Sequence, residues 1–188
     1  MATAKKASAK APAKKAAAKT TAAKKSSPAS KTARSRADAT SLLAKDHKDV
    51  KGLFRRYQKL VKSDADGGER QQLATQICQM LTVHAQIEEE IFYPAVRAAQ
   101  VDEDLLDEAE VEHASAKDLI AQIKLMGPDD DLYDAKVTVL GEYIDHHVQE
   151  EETEMFPKAR RAKVDLEGVG QQIKERKAAL MGETGGAH

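Results

Sequence analysis

His84-Ala85-Gln86-Ile87-Glu88-Glu89-Glu90-Ile91-Phe92-Tyr93-Pro94 decides how this chain is read, because it returns 63 positions later as His147-Val148-Gln149-Glu150-Glu151-Glu152-Thr153-Glu154-Met155-Phe156-Pro157. Both stretches read His-x3-Glu-Glu-x2-[Phe/Met]-[Tyr/Phe]-Pro. A four-residue spacing on a helix sets the His and the first Glu on one face, a turn apart. That face is otherwise apolar. An imidazole and a carboxylate aimed together into an apolar stripe, twice, form the pattern of a metal site inside a helix bundle.

A second pair lies upstream of each stretch. Asp46-His47-x3-Lys51-x-Leu53-Phe54 recurs 66 positions on as Glu112-His113-x3-Lys117-x-Leu119-Ile120. The chain is thus an internal duplication of a two-helix unit, each copy carrying two His and one inward Glu. A purely structural repeat has no reason to keep polar residues at core positions.

Four long helical stripes carry these residues. The first holds Leu43, His47, Val50, Phe54, Tyr57 and Val61, and ends before the loop signal Ser63-Asp64-Ala65-Asp66-Gly67-Gly68. The second runs from about Glu69 with Leu73, Ile77, Met80, His84, Ile87, Glu88, Ile91 and Ala95 inward, and Pro94 is expected to bend or end it. The third starts near Asp102 or Asp104, whose charge suits a helix N-terminus. It buries Leu106, Ala109, His113, Ala116, Ile120 and Ile123, and Gly127-Pro128 stops it. The fourth buries Tyr133, Val137, Leu140, Ile144, His147 and Glu151 and is disturbed at Pro157. A shorter amphipathic piece with Leu166, Val169 and Ile173 follows. Strand signals are absent, and short connections favour antiparallel neighbours. The expected fold is all-α, an up-down-up-down four-helix bundle over residues 38–160. A disordered basic arm precedes it at 1–37, and a short helix with a frayed end follows at 161–188.

Composition supports a single helix-rich domain with a tail: 188 residues, 41% hydrophobic and 32% charged. The net charge of −1 hides a segregation of sign. Residues 1–36 contain nine Lys, two Arg and no acid, so the remainder carries −12. Cys78 is the single cysteine, which excludes a disulfide framework and a thiolate cluster and reads as a buried thiol. No apolar run approaches the roughly 20 residues that cross a membrane. The N-terminus lacks the apolar core of a secretory signal, and its Lys-dominated, Pro-interrupted pattern departs from an organelle transit peptide. The reading is a cytoplasmic protein.

An ionised Glu inside a bundle must be paired, protonated or metal-bound. Neutral imidazoles with carboxylates bind divalent transition metals well. Four His and two Glu exceed what one structural zinc takes. Two ions fit better, with Glu88 and Glu151 shared and His47, His84, His113 and His147 terminal. His146 lies off the stripe that selects His147 and reads as surface or outer support. Glu89, Glu90, Glu150 and Glu152 read as solvated charge.

These two His/His-x3-Glu units, each followed by an aromatic and Pro, resemble the hemerythrin-like, or HHE cation-binding, domain. The resemblance covers residues 40–160. It implies a non-haem di-iron site, two Fe2+/Fe3+ ions with the four His as terminal ligands and Glu88 and Glu151 as bridges, and chemistry with dioxygen, nitric oxide or peroxide. The chain departs from the oxygen-carrying members in two places. Ala109 stands where they carry a further His, and Glu151 follows His147 by four residues where they have an Asp at five. Those departures leave a coordination place open, to solvent, to Glu110 or to a tyrosine. They point away from reversible oxygen carriage toward sensing, iron handling or peroxide chemistry. Ferritin-like carboxylate proteins use Glu-x-x-His pairs, which neither unit supplies, and the zincin string His-Glu-x-x-His is absent.

The arm, Lys-Lys pairs among Ala, Ser and Thr, resembles the tails of linker histones and of some bacterial nucleoid proteins. It implies non-specific nucleic-acid binding through residues 1–36 and a nucleoid association; the rivals are folding back on the acidic body, a solubility tail, an anionic membrane surface and a targeting segment. Three functions stand at this point: a di-iron binding protein that senses or scavenges a small oxidant, a peroxidase-like or nitric-oxide-handling enzyme, and a scaffold bundle with a vestigial site.

Overall fold

The computed structural model describes residues 38–185, and the expectations placed on the arm lie outside them. All described regular structure is helical. Helix α1 spans Ala39–Lys62, α2 Gly67–Ile87, α3 Tyr93–Ala98, α4 Glu103–Leu125, α5 Tyr133–Glu150, α6 Phe156–Arg161 and α7 Leu166–Gly185. Two π-helical turns, π1 at Glu88–Phe92 and π2 at Glu151–Met155, join α2 to α3 and α5 to α6 without a break.

The helix starts follow local chemistry. Asp38 caps α1 by accepting the Ser41 N–H at 2.9 Å. Asp66 accepts the Gly68 N–H at 2.9 Å and so starts α2 at Gly67, two residues before Glu69. A Cβ on Gly68 would lie 2.8 Å from that same carboxylate oxygen, so the first turn stays glycine. Asp102 caps α4 through the Leu105 N–H. At the other end α4 stops at Leu125, before Gly127-Pro128.

Pro94 and Pro157 do not end their helices. Proline lacks the N–H that would bond the carbonyl four residues back, and its ring clashes with that carbonyl. The preceding turn widens instead: the Tyr93 N–H donates to the Glu88 carbonyl and the Phe156 N–H to that of Glu151, each five residues back. Pro94 and Pro157 then sit in the first turn of α3 and α6, where no N–H is required. The duplication extends to the turns that follow. Gln100 and Lys163, 63 positions apart, both take left-handed backbone with φ of 52° and 59°.

Helices α1, α2, α4 and α5 pack as a ring, α1 on α2 and α5, α4 on α2 and α5. Their directions alternate. Tyr57 late in α1 and Arg70 early in α2 both reach Asp134 at the start of α5, whereas His47 and His84 meet at the opposite ends of α1 and α2. The C-terminal piece is not short: α7 has 20 residues and lies as a fifth helix on α1 and α2. Leu166, Val169, Ile173 and Leu180 are buried with Val83 and Ile87. Val61, expected on the stripe of α1, is 38% exposed because the helix has run past its partners.

Two apolar clusters make up the interior. One gathers Leu43, Phe92, Val96, Leu106, Ala109, Met155 and Phe156 with the inner face of α7. The other gathers Val50, Phe54, Tyr57, Ile77, Leu81, Ile120, Tyr133, Leu140 and Ile144. Cys78 belongs to the second, where burial pushes its thiol up to about 11 and leaves it unreactive. His47 and His113 stand between the two clusters along α1 and α4, and His84 and His147 stand within a residue or two of the changeover on α2 and α5; all four are buried.

Close packing between α1 and α5 rests on Gly141. A Cβ there would lie 3.0 Å from the Phe54 ring, while a Cβ on Gly52 in α1 meets nothing nearer than 3.9 Å. Gly141→Leu should therefore destabilise the protein by about 1–3 kcal/mol through overpacking. Gly52→Ala should stabilise it by up to about 1 kcal/mol through helix propensity. Urea unfolding of both variants at matched metal content checks the pair of signs.

Candidate metal centre

All six residues selected from the sequence meet in one buried layer. Glu88 is 0% and Glu151 1% exposed, and the four histidines are nearly as enclosed. The imidazoles present their Nε2 atoms inward. His47 Nε2 lies 3.1 Å from His84 Nε2, and His113 Nε2 lies 3.2 Å from His147 Nε2. Two groups of ligand atoms result, His47, His84, Glu88 and Glu151 in one, and Glu88, His113 and His147 in the other.

Glu88 belongs to both groups. Its Oε1 is 3.1 Å from His84 Nε2 and 3.9 Å from His47 Nε2, and its Oε2 is 3.5 Å from His113 Nε2. Glu151 Oε2 lies 3.2 Å from His47 Nε2 and 3.7 Å from His147 Nε2. These approaches are close without being aligned as hydrogen bonds. Both oxygens of Glu88 and Oε2 of Glu151 are buried with no hydrogen-bond partner among the described residues. Native interiors rarely leave such atoms unsatisfied. A carboxylate with bare oxygens, ringed by imidazole nitrogens, is the donor set for cations.

The outward nitrogens are held by a second ring of carboxylates. The Nδ1–H of His47 donates to Glu152 at 2.9 Å, that of His113 to Glu89 at 2.8 Å, and that of His147 to Glu112 at 2.8 Å. Asp46 stands 3.7 Å from His84 Nδ1. Such bonds fix the tautomer, turn Nε2 inward and raise the basicity of the ligand. The ring obeys the repeat: Asp46 and Glu112 serve the histidines of the next helix, while Glu89 and Glu152 reach across to the helix that opens the other copy. Glu89 and Glu152 are therefore not simply solvated charge. Each stands one residue past an inward Glu and, turned outward from it, reaches the outer nitrogen of a histidine on a neighbouring helix. Glu90 does lie outside, bonded to Arg176, and His146 is on the surface with its side chain 63% exposed.

Tyr93 occupies the side of the centre next to Ala109. Its hydroxyl donates to Glu151 Oε1 at 3.0 Å and sits 3.3 Å from His113 Nε2. Burial, and then the charges of Glu151 and Glu88, hold this phenol well above its usual pKa, so it keeps its proton. Glu110 does not enter the centre; it pairs with Arg97 at the surface. The counterpart of Tyr93 in the other copy is Phe156, stacked on His47 with 5.8 Å between ring centroids. The two halves of the centre thus differ by one hydroxyl. A cavity of about 20 Å³, room for one water-sized guest, abuts the layer and is walled by Val50, Leu81, Ala116, Ile120 and Ile144 beside the histidines.

Without metal, the carboxylates hold protons on His47 and His113. Burial opposes charge on His47, yet Glu151 and Glu88 outweigh it and raise the pKa to about 10. Burial is likewise outweighed at His113 by Glu88 and Glu89, which raise it to about 9. Both rings are then charged at pH 7 and must become neutral to ligate. Loading the metal-free protein with divalent metal at pH 7 should release about two protons per chain from this pair alone. An indicator dye in weakly buffered solution reads the release, and uptake without acidification would contradict it.

A family model described as the hemerythrin HHE cation binding domain matches residues 38–159. A protein of Nostoc sp. (strain PCC 7120) described as a DNA nickase is 34% identical over 134 residues, which is 71% of this chain and 36% of that protein. The chain thus spans about a third of that relative's length. A crystal structure of a hemerythrin HHE cation binding domain-containing protein from Mycobacterium kansasii superposes with a TM-score of 0.64 at 25% identity, covering 78% of this chain and 88% of that one. The matched span takes in the bundle and all six residues of the buried layer, and the chain belongs to the hemerythrin HHE cation binding domain family.

Proposed function

We propose that this chain is a non-haem di-iron protein that binds a small oxidant, dioxygen, nitric oxide or peroxide, and senses or scavenges it. The observation that carries the reading is Glu88. Its two bare oxygens face two different histidine pairs, the arrangement of a carboxylate shared between two ions. Glu151 would supply the second shared carboxylate, and His47, His84, His113 and His147 would hold the ions as terminal ligands. Imidazole and carboxylate together suit iron. Iron ions held in this way supply the electrons for chemistry with an oxidant.

The protein groups set the terms of that chemistry. The outer carboxylates orient each imidazole. Tyr93 holds a proton at its hydroxyl between Glu151 and His113. The adjoining apolar cavity favours a guest of diatomic size over a bulky substrate. A second reading, turnover with peroxide or nitric oxide, is favoured by that same Tyr93 proton, which is in place to be donated. A scaffold with a vestigial site is disfavoured, since bare buried carboxylate oxygens destabilise a bundle that gains nothing from them.

The arm gives the protein a location. Eleven positive charges in residues 1–36 against −12 on the remainder suit a non-specific hold on polyphosphate by counterion release. The description of the Nostoc relative as a DNA nickase agrees with a setting on nucleic acid. No described helix is long and apolar enough to cross a membrane. The proposal is a cytoplasmic, nucleoid-associated protein.

Metal analysis of anaerobically purified protein tests the centre. Two irons per chain are expected; Glu88→Ala should lose most of them, whereas Glu90→Ala, at a surface ion pair, should keep them. One ion per chain, or zinc retained in preference to iron under iron-replete expression, would overturn the di-iron reading.

An electrophoretic shift assay tests the arm. Full-length protein should bind duplex DNA without sequence preference, and a chain starting at Asp38 should not. If the arm engages about six to nine phosphates, a fourfold rise in salt should weaken binding by roughly three to five decades. Equal retention by the truncated chain would place the binding elsewhere.

A further inference from the structure

The two copies of the duplicated unit match in the buried layer and differ on their outer faces. In the first copy, the positions preceding His84 and Glu88 are Val83 and Ile87, buried under α7. Asp46, the carboxylate facing His84, meets the Lys177 ammonium at 2.5 Å. In the second copy, the same positions are His146 and Glu150, and their face of α4 and α5 looks outward. Glu112, the counterpart of Asp46, has no lysine or arginine on it among the described ion pairs.

What stands in that place is a set of ligand atoms. His146 Nε2 lies 3.5 Å from Glu112 Oε1 and 3.4 Å from Glu150 Oε1. The three ligand atoms fall within 4.8 Å of one another. His146 and Glu150 repeat, one residue earlier and on the outer face, the four-residue spacing of His147 and Glu151. Glu108 adds negative charge beside Glu150, and Glu154 does so while bonded to Lys158. Where the first copy seats an ammonium, the second offers one imidazole and two carboxylates with open positions toward solvent. That donor set takes a divalent transition metal rather than a lysine.

We infer that Glu112, His146 and Glu150 form a second, exposed divalent-cation site that captures metal for the buried centre. The inference rests on the metal-binding reading of the buried layer given above. Glu112 joins the two sites: one oxygen faces His146, and the other accepts the His147 Nδ1–H at 2.8 Å. An ion drawn onto Glu112 Oε1 therefore competes for the carboxylate that orients His147. The outer site is half open and supplies three protein ligands, so it binds weakly and exchanges quickly, as a capture site must.

The test uses full-length protein with its buried centre filled, titrated with Mn2+ at pH 7.5 and followed by the electron paramagnetic resonance signal of free Mn2+. One additional Mn2+ per chain is expected. His146→Ala and Glu150→Gln should each weaken it by about tenfold or more, while Glu142→Gln, which removes the same charge elsewhere on α5, should leave it in place. In anaerobic stopped-flow loading of the metal-free protein with Fe2+, His146→Ala should slow uptake several-fold and reach the same final content. No additional Mn2+, or equal weakening by Glu142→Gln, would overturn the site; loss of the extra Mn2+ with an unchanged loading rate would overturn its role in capture. Failure of the buried centre would show separately, as low iron in the unaltered protein before any Mn2+ is added.

Discussion

Two carboxylates sealed inside an apolar bundle are the constraint that organises this protein. Removing an ionised carboxylate from water is unfavourable by several kcal/mol unless positive charge meets it. Here that charge is concentrated at one level, by protons on His47 and His113 that give way when a cation binds. The apolar clusters on either side supply the burial that stabilises helical bundles. The polar layer supplies register. Sliding any of the four helices by one residue would push an imidazole into an apolar cluster and withdraw a ligand atom from its partners.

Much of this was legible in the amino-acid order, because it follows the helical period. Leu43, His47, Val50, Phe54 and Tyr57 recur at three- and four-residue steps and are buried as that spacing requires. The same rule gathered His84 with Glu88 and His147 with Glu151. The outer carboxylates were hidden for a physical reason. Glu89 and Glu152 stand one residue after an inward Glu, where an α-helix turns a side chain away by about 100°. Turned that way, each meets the outward nitrogen of a histidine on a neighbouring helix rather than open solvent. Glu112 and Asp46 were visible as acids beside histidines, but each serves a histidine on a different helix, which spacing along one helix cannot reveal. Tyr93 was open only as one tyrosine among several. The length of α7 was obscured by Gly168, Gly170 and the charges that dilute its apolar stripe.

Duplication has kept the ligands and let their surroundings diverge. Each half has two imidazoles, an inward carboxylate, a π turn, an aromatic and a proline. Yet one half has a phenol where the other has a phenyl ring, and one is covered by α7 where the other faces outward. A symmetrical cage holds its contents without distinguishing them; these differences give the two groups of ligand atoms separate access to protons and to solvent.

The π turns also set where the chain tolerates a change of length. Each contains one residue more than the α-helical turn it replaces. Losing a residue between Glu88 and Phe92 would let the backbone close into α geometry with the flanking helices still in register, and the ring of Pro94 would then meet the carbonyl four residues back. That clash would bend or break the helix beside Tyr93, whose hydroxyl reaches Glu151. The link at Ser63–Asp66, by contrast, lies at the surface and could lengthen at little cost. In this chain the extra residue in each of two short turns lets a helix that carries a proline pass beside the centre unbroken.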